Sequence, residues 1–310
     1  MIMKKVIASI IVYNPDIDRL ENNIKAIVGQ VSEIVIIING MEDYISFNEL
    51  IERYNKEVPI KVLKNKDNMG IAYALNQAMK YAYKKQYEWV LTLDQDTVCP
   101  DGLVKNLMSH SGNERVGIIA PNYIDRNYFR EQTEYTGWKY VMACITSASL
   151  TNVDIWRKVG GFDNKLFIDY VDYDYCAKLI YNGYAIIMDY DQKIIHEIGE
   201  GHKKYFGKYS MVVYNHSPMR KYYIFRNICI YCNRYPDICK TVINKNGYII
   251  RNFIAVIFFE DKKIKKLSAM IKGLNDSRKI IREEKKVRRQ ELDKRRKYAK
   301  TQKDNTISNN

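Results

Sequence analysis

The sequence is poor in several features that would assign it quickly. Its six cysteines are scattered without a regular spacing, so neither a disulfide framework nor a complete zinc site is expected, and a reduced, cytosolic setting suits them. Cys229-x-x-Cys232 with Cys239 is half a zinc motif with no second half, and its helical pattern points to packing. No uncharged apolar run approaches the ~20 residues needed to cross a bilayer. The longest candidate, Tyr248 to Phe259, is interrupted by Arg251. No secretory leader is visible, because Met1-Ile2-Met3-Lys4-Lys5 runs directly into a strand-like segment. There is no internal repeat and no recognisable nucleic-acid-binding motif. No Gly-x-Gly-x-x-Gly follows the first strand, which argues against a dinucleotide-dependent dehydrogenase.

What is present is enough apolar residue (46%) to bury a full core across 310 residues, either as two domains or as one enlarged α/β domain. The net charge is +14, and much of the excess follows residue 260, at Lys262, Lys263, Lys265, Lys266, Arg288, Arg289, Arg295 and Arg296. A solvated helix explains such a run, and so does a surface that docks on anionic lipid. Nucleic acid is not expected as a partner.

The first half alternates strand and helix patterns. Val6 to Tyr13, Ile34 to Ile38, Ile60 to Leu63 and Trp89 to Leu93 read as strands. Ile17 to Gly29, a segment through Leu50 and Ile51, and Ile71 to Tyr83 read as helices. This predicts an α/β fold with a mostly parallel central sheet and helices on both faces. Further strands are expected at Val116 to Ala120, Ile145 to Leu150 and Ala185 to Met188, and a helix at Asp172 to Tyr181 stopped by Gly183. Helices dominate after Pro218, chiefly Arg220 to Tyr235 and Gly247 to Phe259, and residues 304–310 read as a disordered tail.

Chemistry concentrates in a few places. Trp89-Val90-Leu91-Thr92-Leu93-Asp94-Gln95-Asp96 is an apolar strand ending on two carboxylates. Ligands of open α/β sheets sit at the carboxyl ends of strands, and a paired carboxylate there suits a hard divalent cation completed by phosphate oxygens. Asn68-Met69-Gly70 precedes a helix, where backbone amides could approach an anion or could simply form a capped turn. Asp169, Asp172 and Asp174 form a second acidic cluster at a helix start, a favourable place for carboxylates whatever their role. One of them could serve as a general base. A lone histidine such as His196 is more often structural than a ligand, yet it could join a metal or donate to a phosphate oxygen.

Together these stretches resemble the family 2 glycosyltransferases with the GT-A fold, and within them bacterial rhamnosyltransferases. The matching stretches are Ile11-Val12-Tyr13-Asn14-Pro15, Asn68 to Asn76, Leu93-Asp94-Gln95-Asp96, Val159 to Asp163, Leu166 to Asp172, His196-Glu197-Ile198-Gly199 and Arg220 to Asn227, spanning roughly residues 5 to 275. The resemblance implies inverting transfer of a sugar from a nucleotide-diphosphate donor, with dTDP-L-rhamnose leading and a UDP-hexose as the alternative. The acceptor it implies is a saccharide hydroxyl in cell-surface polysaccharide synthesis. It implies donor contacts from Tyr13, Asn14, Asn39, Asn68, Gly70, Asn76 and Asp94, with Asp94 near the ribose. Asp96 and His196 would hold Mg²⁺ or Mn²⁺, and Asp172, or failing it Asp169, would be the general base. It further suggests a GT-A domain over 1–215 and a helical basic region over 216–303. The acceptor would be lipid-linked, placing the protein in the cytoplasm, peripheral at the inner face of the membrane. Two departures stand out. Ile38 occupies the place before Asn39 where most members carry an Asp that helps read the base, and Lys178 replaces an Arg. A nucleotidyltransferase and a degenerate, non-catalytic nucleotide-sugar binder are the competing readings.

Overall fold

The computed structural model describes residues 6–125, 135–196, 201–206 and 209–307. Chain contacts divide it into two compact units, residues 1–216 with 254–261, and residues 217–253 with 262–310.

In the first unit β1 (Val6–Val12), α1 (Ile17–Ile27), β2 (Ile34–Ile38), α2 (Tyr44–Tyr54), β3 (Ile60–Lys64), α3 (Ile71–Lys84) and β4 (Trp89–Asp94) follow one another in strict alternation. β1 and β2 consist almost wholly of buried branched residues, as strands covered on both faces must. α1 begins at Asp16, whose carboxylate accepts from the Arg19 N–H, and buries Leu20, Ile24 and Ile27 against the sheet. Then come α4 (Leu103–Met108), β5 (Val116–Asp125), β6 (Trp138–Tyr140), β7 (Ser149–Asn152), α5 (Val153–Val159), α6 (Val171–Tyr181) and β8 (Ala185–His196). The eight strands form one sheet in the order β3-β2-β1-β4-β7-β5-β8-β6. β3, β2, β1 and β4 run parallel, β7 is antiparallel to both neighbours, and β8 again runs parallel to β5. A separate hairpin joins β9 (His202–Phe206) and β10 (Tyr209–Val213).

The second unit contains α7 (Pro218–Arg234), α8 (Pro236–Val242), the first part of α9 (Lys245–Phe258) and α10 (Lys263–Ile307). Pro236 ends α7 and turns the chain, bringing the Cα atoms of Cys232 and Cys239 to 5.1 Å, where the two are disulfide-bonded. The sequence pattern gave no sign of this pair. Cys229 is buried as a free thiol. α10 is tied to α7 by the Arg234–Glu284 ion pair and by the Tyr222 hydroxyl, which donates to Asp276 at 3.1 Å. It continues through Ile307 and so takes in residues 304–307 of the tail expected to be disordered.

Three strand expectations shift, the one at Val116 to Ala120 by running on to Asp125. The strand expected at Ile145 to Leu150 begins only at Ser149, because Ala148 is left-handed (φ 57°). The strand expected at Ala185 to Met188 runs on for twelve residues. An irregularity after Asp189, opposite Pro121, interrupts the pairing with β5, and His196 is the last residue of the strand. β6, α4 and α5 were not anticipated. No helix among the described residues is long and apolar enough to cross a membrane.

β1 lies between β2 and β4, and Ile10 at its centre is wholly buried. Ile10→Ala is expected to destabilise the protein by about 2–5 kcal/mol. A chemical denaturation midpoint indistinguishable from that of the wild type would contradict this placement of the core.

Candidate active site

The parallel strands deliver their carboxyl ends to one edge, and the residues just past those ends form the site. After β1, Tyr13 donates its N–H to the Gln95 side chain (2.8 Å), and Asn14, at φ 41°, donates its N–H to the Gly40 carbonyl (2.9 Å). A Cβ on Gly40 would stand 2.8 Å from the Tyr13 ring, so glycine lets that ring lie over the turn after β2. The ring is 53% exposed, leaving an aromatic surface open at the edge of the sheet. Ile38, the residue that departs from the family pattern, is the buried last residue of β2.

Asn39 is buried and organises the next loop. Its Oδ1 accepts from the Met69 N–H (3.0 Å) and from Asn65 Nδ2 (3.1 Å), and its Nδ2 donates to Asn68 Oδ1 (2.9 Å). Asn68 Oδ1 also accepts from the Gly70 N–H (2.9 Å). Asn65 and Gln77 exchange reciprocal amide bonds. Asn39 and Asn68 therefore shape the loop that presents Gly70 at the start of α3.

Asp94 is the last residue of β4. Its carbonyl accepts from Asn23 Nδ2 (2.6 Å) and from the Thr97 N–H (3.3 Å), and its N–H donates to Ser147 Oγ (3.4 Å). These backbone bonds hold the position while the carboxylate stays partly exposed. Two residues on, Asp96 keeps 30% of its side chain exposed, with an Arg19 guanidinium nitrogen 3.7 Å away.

Across from this triplet, the chain from Gly161 to Asp172 is held by Asn76. That side chain accepts from Trp156 Nε1 (2.9 Å) and the Phe162 N–H (3.0 Å), and donates to the Phe162 carbonyl (2.8 Å) and Asn164 Oδ1 (2.7 Å). All four of its hydrogen-bonding positions are used inside the protein, so Asn76 positions the loop instead of reaching a ligand. Lys178 Nζ donates to the Gly161 carbonyl at 2.6 Å, a single bond that a point charge can make without the planar fork of Arg. Phe167 (φ 64°), Asp169 (φ 62°) and Tyr170 (φ 64°) are all left-handed. Each costs about 1–3 kcal/mol for a non-glycine residue, a cost found mainly where function fixes the backbone. The Phe167 carbonyl accepts from the Ile71 N–H at 2.6 Å, and a Cβ on Gly70 would lie within 2.6 to 2.8 Å of Phe167.

Asp172 stands in the first turn of α6 and accepts from the Tyr173 N–H (2.9 Å). Burial pushes its carboxyl up to about 6, and the negative charges of Asp169 and Asp94 push the same way, against backbone hydrogen bonds that lower it. The structure therefore brings Asp94 and Asp169 within electrostatic reach of Asp172. Asp174 is wholly buried. Cys144 and Cys176 lie behind Asp172, with their sulfurs 3.8 Å apart. His196 ends β8, paired with Asp125, at the same edge of the sheet. Its side chain, and the Glu197-Ile198-Gly199 stretch, lie outside the described residues.

Gln95, Asn65, Gln77, Ser147 and Trp156 support this site and were not singled out in the sequence. Only Gln95, between two carboxylates, carried a positional hint. Replacing Asn76 by Ala strands several buried donors and acceptors, each worth about 1–3 kcal/mol. A clear fall in melting temperature is expected, together with faster amide exchange over residues 162–172. An unchanged exchange pattern there would contradict the positioning role.

The model of the family described as "Glycosyl transferase family 2" matches residues 8–178. The chain is 28% identical over 239 residues to a dTDP-rhamnosyl transferase, RfbF, of Shigella flexneri, covering 71% of this chain and 77% of that protein. Among solved structures it resembles a mannosyltransferase of Pyrobaculum calidifontis in complex with GDP-Man and Mn²⁺. The TM-score is 0.58 at 15% identity, over 86% of this chain and 73% of that one. It also resembles TarS residues 1–349 of S. aureus in complex with UDP-GlcNAc, with a TM-score of 0.57 at 14% identity, over 88% and 80%. The sheet order and these likenesses give the fold as GT-A with added C-terminal helices. With a family model matched over more than half its length, the chain belongs to glycosyl transferase family 2 and is a glycosyltransferase.

Proposed function

We propose that the protein transfers L-rhamnose from dTDP-L-rhamnose, with inversion, to a saccharide hydroxyl during assembly of a cell-surface polysaccharide. The observation that carries this is the facing of two carboxylate groups, Asp94-Gln95-Asp96 at the end of β4 and Asp172 at the start of α6. The rhamnosyl donor is supported by the likeness to the Shigella protein.

In this reading the exposed Tyr13 ring and the Asn39–Gly40 turn receive the nucleoside, and Asn14 borders the same turn. The loop presenting Asn68 and Gly70 lies beside the sugar, with Asp94 at the ribose. Asp172 removes the proton from the acceptor hydroxyl as its oxygen attacks the anomeric carbon. The bond from that carbon to the diphosphate breaks on the opposite face, which inverts the centre and releases the nucleoside diphosphate. A carboxyl near 6 is ionised at neutral pH yet more basic than an ordinary aspartate, which suits a general base. Asp169, on the adjacent strained backbone, is the second choice for that role.

The donor set fits a divalent cation. Asp96 offers a partly exposed hard oxygen donor, and among the described residues no trio of acidic, His or Cys side chains would complete a cage without the diphosphate oxygens. Asp96, with His196, would hold Mg²⁺ or Mn²⁺, which as a Lewis acid neutralises charge on the departing diphosphate. Two of the similar structures, the mannosyltransferase and GalNAc-T7, were solved with Mn²⁺. Residues 1–215 carry this chemistry in our reading. The helical region that follows, rich in Lys and Arg after residue 260, favours an anionic membrane face on which a lipid-linked acceptor is presented.

Asp172→Asn is expected to lower kcat by a factor of about 10²–10⁴ while dTDP affinity stays within about twofold, measured by isothermal titration. Wild-type turnover would remove Asp172 from the mechanism. For the wild type, kcat/KM should fall as pH drops through about 6, where Asp172 takes up its proton. An acid limb near 4 would contradict the burial argument. Because the folded-state value lies above the ordinary 3.8, the protonated carboxyl favours the fold at low pH, and that contribution is lost as pH rises through about 6. The Asn variant should therefore melt no lower than wild type at pH 8, which separates lost catalysis from lost folding. Chelation by EDTA should abolish transfer and Mn²⁺ or Mg²⁺ restore it. Full activity in EDTA would exclude the metal role of Asp96.

A further inference from the structure

Four strands away from Asp94, at the far edge of the sheet, a group of aromatic rings stands open. β6 is only three residues long, and all three are exposed. Trp138 (47% exposed) and Tyr140 (59% exposed) alternate with Lys139, so both rings project from one face, where they meet edge-on at 5.4 Å. On that face Trp138 also meets the His110 ring at 5.8 Å, and His110 bonds Asp189 at 2.9 Å. On the other face Lys139 lies 3.7 Å over the half-exposed Tyr135 ring. The strand is fixed in place: the Gly137 N–H donates to Asp191 (2.9 Å) and the Gly137 carbonyl accepts from the Tyr190 N–H (2.9 Å).

Exposed rings held rigidly between charged groups call for a partner that is apolar on its faces and hydroxylated around its rim. A purely apolar partner that spread past the two rings would strip water from the exposed Asp191 carboxylate without replacing its hydrogen bonds. Strand addition by another chain is poorly served by an edge of three residues. A sugar ring meets both needs, laying its C–H face on indole or phenol while its hydroxyls stay in water or reach the Asp191 carboxylate.

We propose that the Trp138–Tyr140 face is an accessory saccharide-binding platform that holds a distal part of the acceptor chain, away from the sugar being extended. The identity of its occupant as acceptor rests on the glycosyltransferase reading above. Strand register puts Tyr140 at the level of Leu91 across β7, β5 and β8, with Trp138 two residues nearer the edge that carries Asp94. Four strand spacings of about 4.8 Å place it roughly 19 Å from β4, a span of several sugar units. The same segment serves both places. Residues 141–147 run from the end of β6 to Cys144, behind Asp172, and to Ser147, which bonds the Asp94 N–H.

The chain has three tryptophans, and Trp89 and Trp156 are buried, so quenching of tryptophan fluorescence by acrylamide reports chiefly on Trp138. The full-length protein is titrated with α-linked rhamno-oligosaccharides of two to eight sugars. Saturable protection of Trp138, tighter for longer oligosaccharides, is expected, with about tenfold weaker binding by calorimetry for Trp138→Ala and for Tyr140→Ala. In transfer assays both variants should keep wild-type kcat/KM on the shortest acceptor and lose about tenfold on the longest, through KM. Three results would overturn the proposal: no protection by any oligosaccharide, equal loss on short and long acceptors, or a Trp138 already shielded in the free protein with a dimeric mass by light scattering. Release of dTDP from dTDP-rhamnose is followed in parallel. Turnover without platform binding defeats the platform alone, whereas binding without any donor turnover defeats the rhamnosyltransferase reading and leaves a saccharide-binding surface.

Discussion

The close approach of Phe167 to Gly70 is the constraint on which the site depends. The proposed donor side of the site is built on parallel strand ends, whereas the proposed base, Asp172, is carried by a separate loop and helix. The two are brought into one place where the Phe167 carbonyl accepts from the Ile71 N–H and the Phe167 backbone occupies the space a Cβ on residue 70 would fill. Only glycine supplies both that space and the left-handed φ of 84°. The three left-handed residues that follow, Phe167, Asp169 and Tyr170, bear the strain of that approach, and Asn76 stabilises the loop from below with four internal hydrogen bonds.

This arrangement has an electrostatic consequence. Bringing Asp172 towards Asp94 and Asp169 inside a partly buried pocket raises its proton affinity, the combination of burial and like charge by which enzymes prepare a carboxylate as a base. The same arrangement would be unfavourable in a site built for stability alone. Asp96, partly exposed and faced by Arg19, sits in a different environment. In the proposed reading Asp94 would act on the donor and on the field around the base, while Asp96 would meet the hard cation.

Much of this architecture was legible in the sequence where one physical rule governed. The buried runs Val6–Val12 and Ile34–Ile38 could be nothing but doubly covered strands, and the Trp89–Asp94 strand declared its carboxylate end. The second half was less readable because its order rests on contacts distant in sequence. Asn76 reads as a ligand contact by motif, but its amide is consumed by Trp156, Phe162 and Asn164, about 80 residues away. β7 starts late because Ala148 is left-handed, and Thr92 Oγ1 bonds the Thr146 and Ser149 carbonyls on either side of it. The Cys232–Cys239 pair depends on the turn at Pro236, which cysteine spacing alone does not encode. β6 is too short to leave a periodic signal, so its exposed aromatics stand out only at the sheet edge.

The central claim is that a base on α6 and a donor held at the end of β4 act on opposite faces of one anomeric carbon. Product analysis by NMR, after incubation with dTDP-L-rhamnose, a divalent metal and a rhamnose-containing acceptor, tests it most directly. The account predicts free dTDP and a new glycosidic bond of inverted anomeric configuration. Retained configuration, or release of pyrophosphate in place of dTDP, would contradict it.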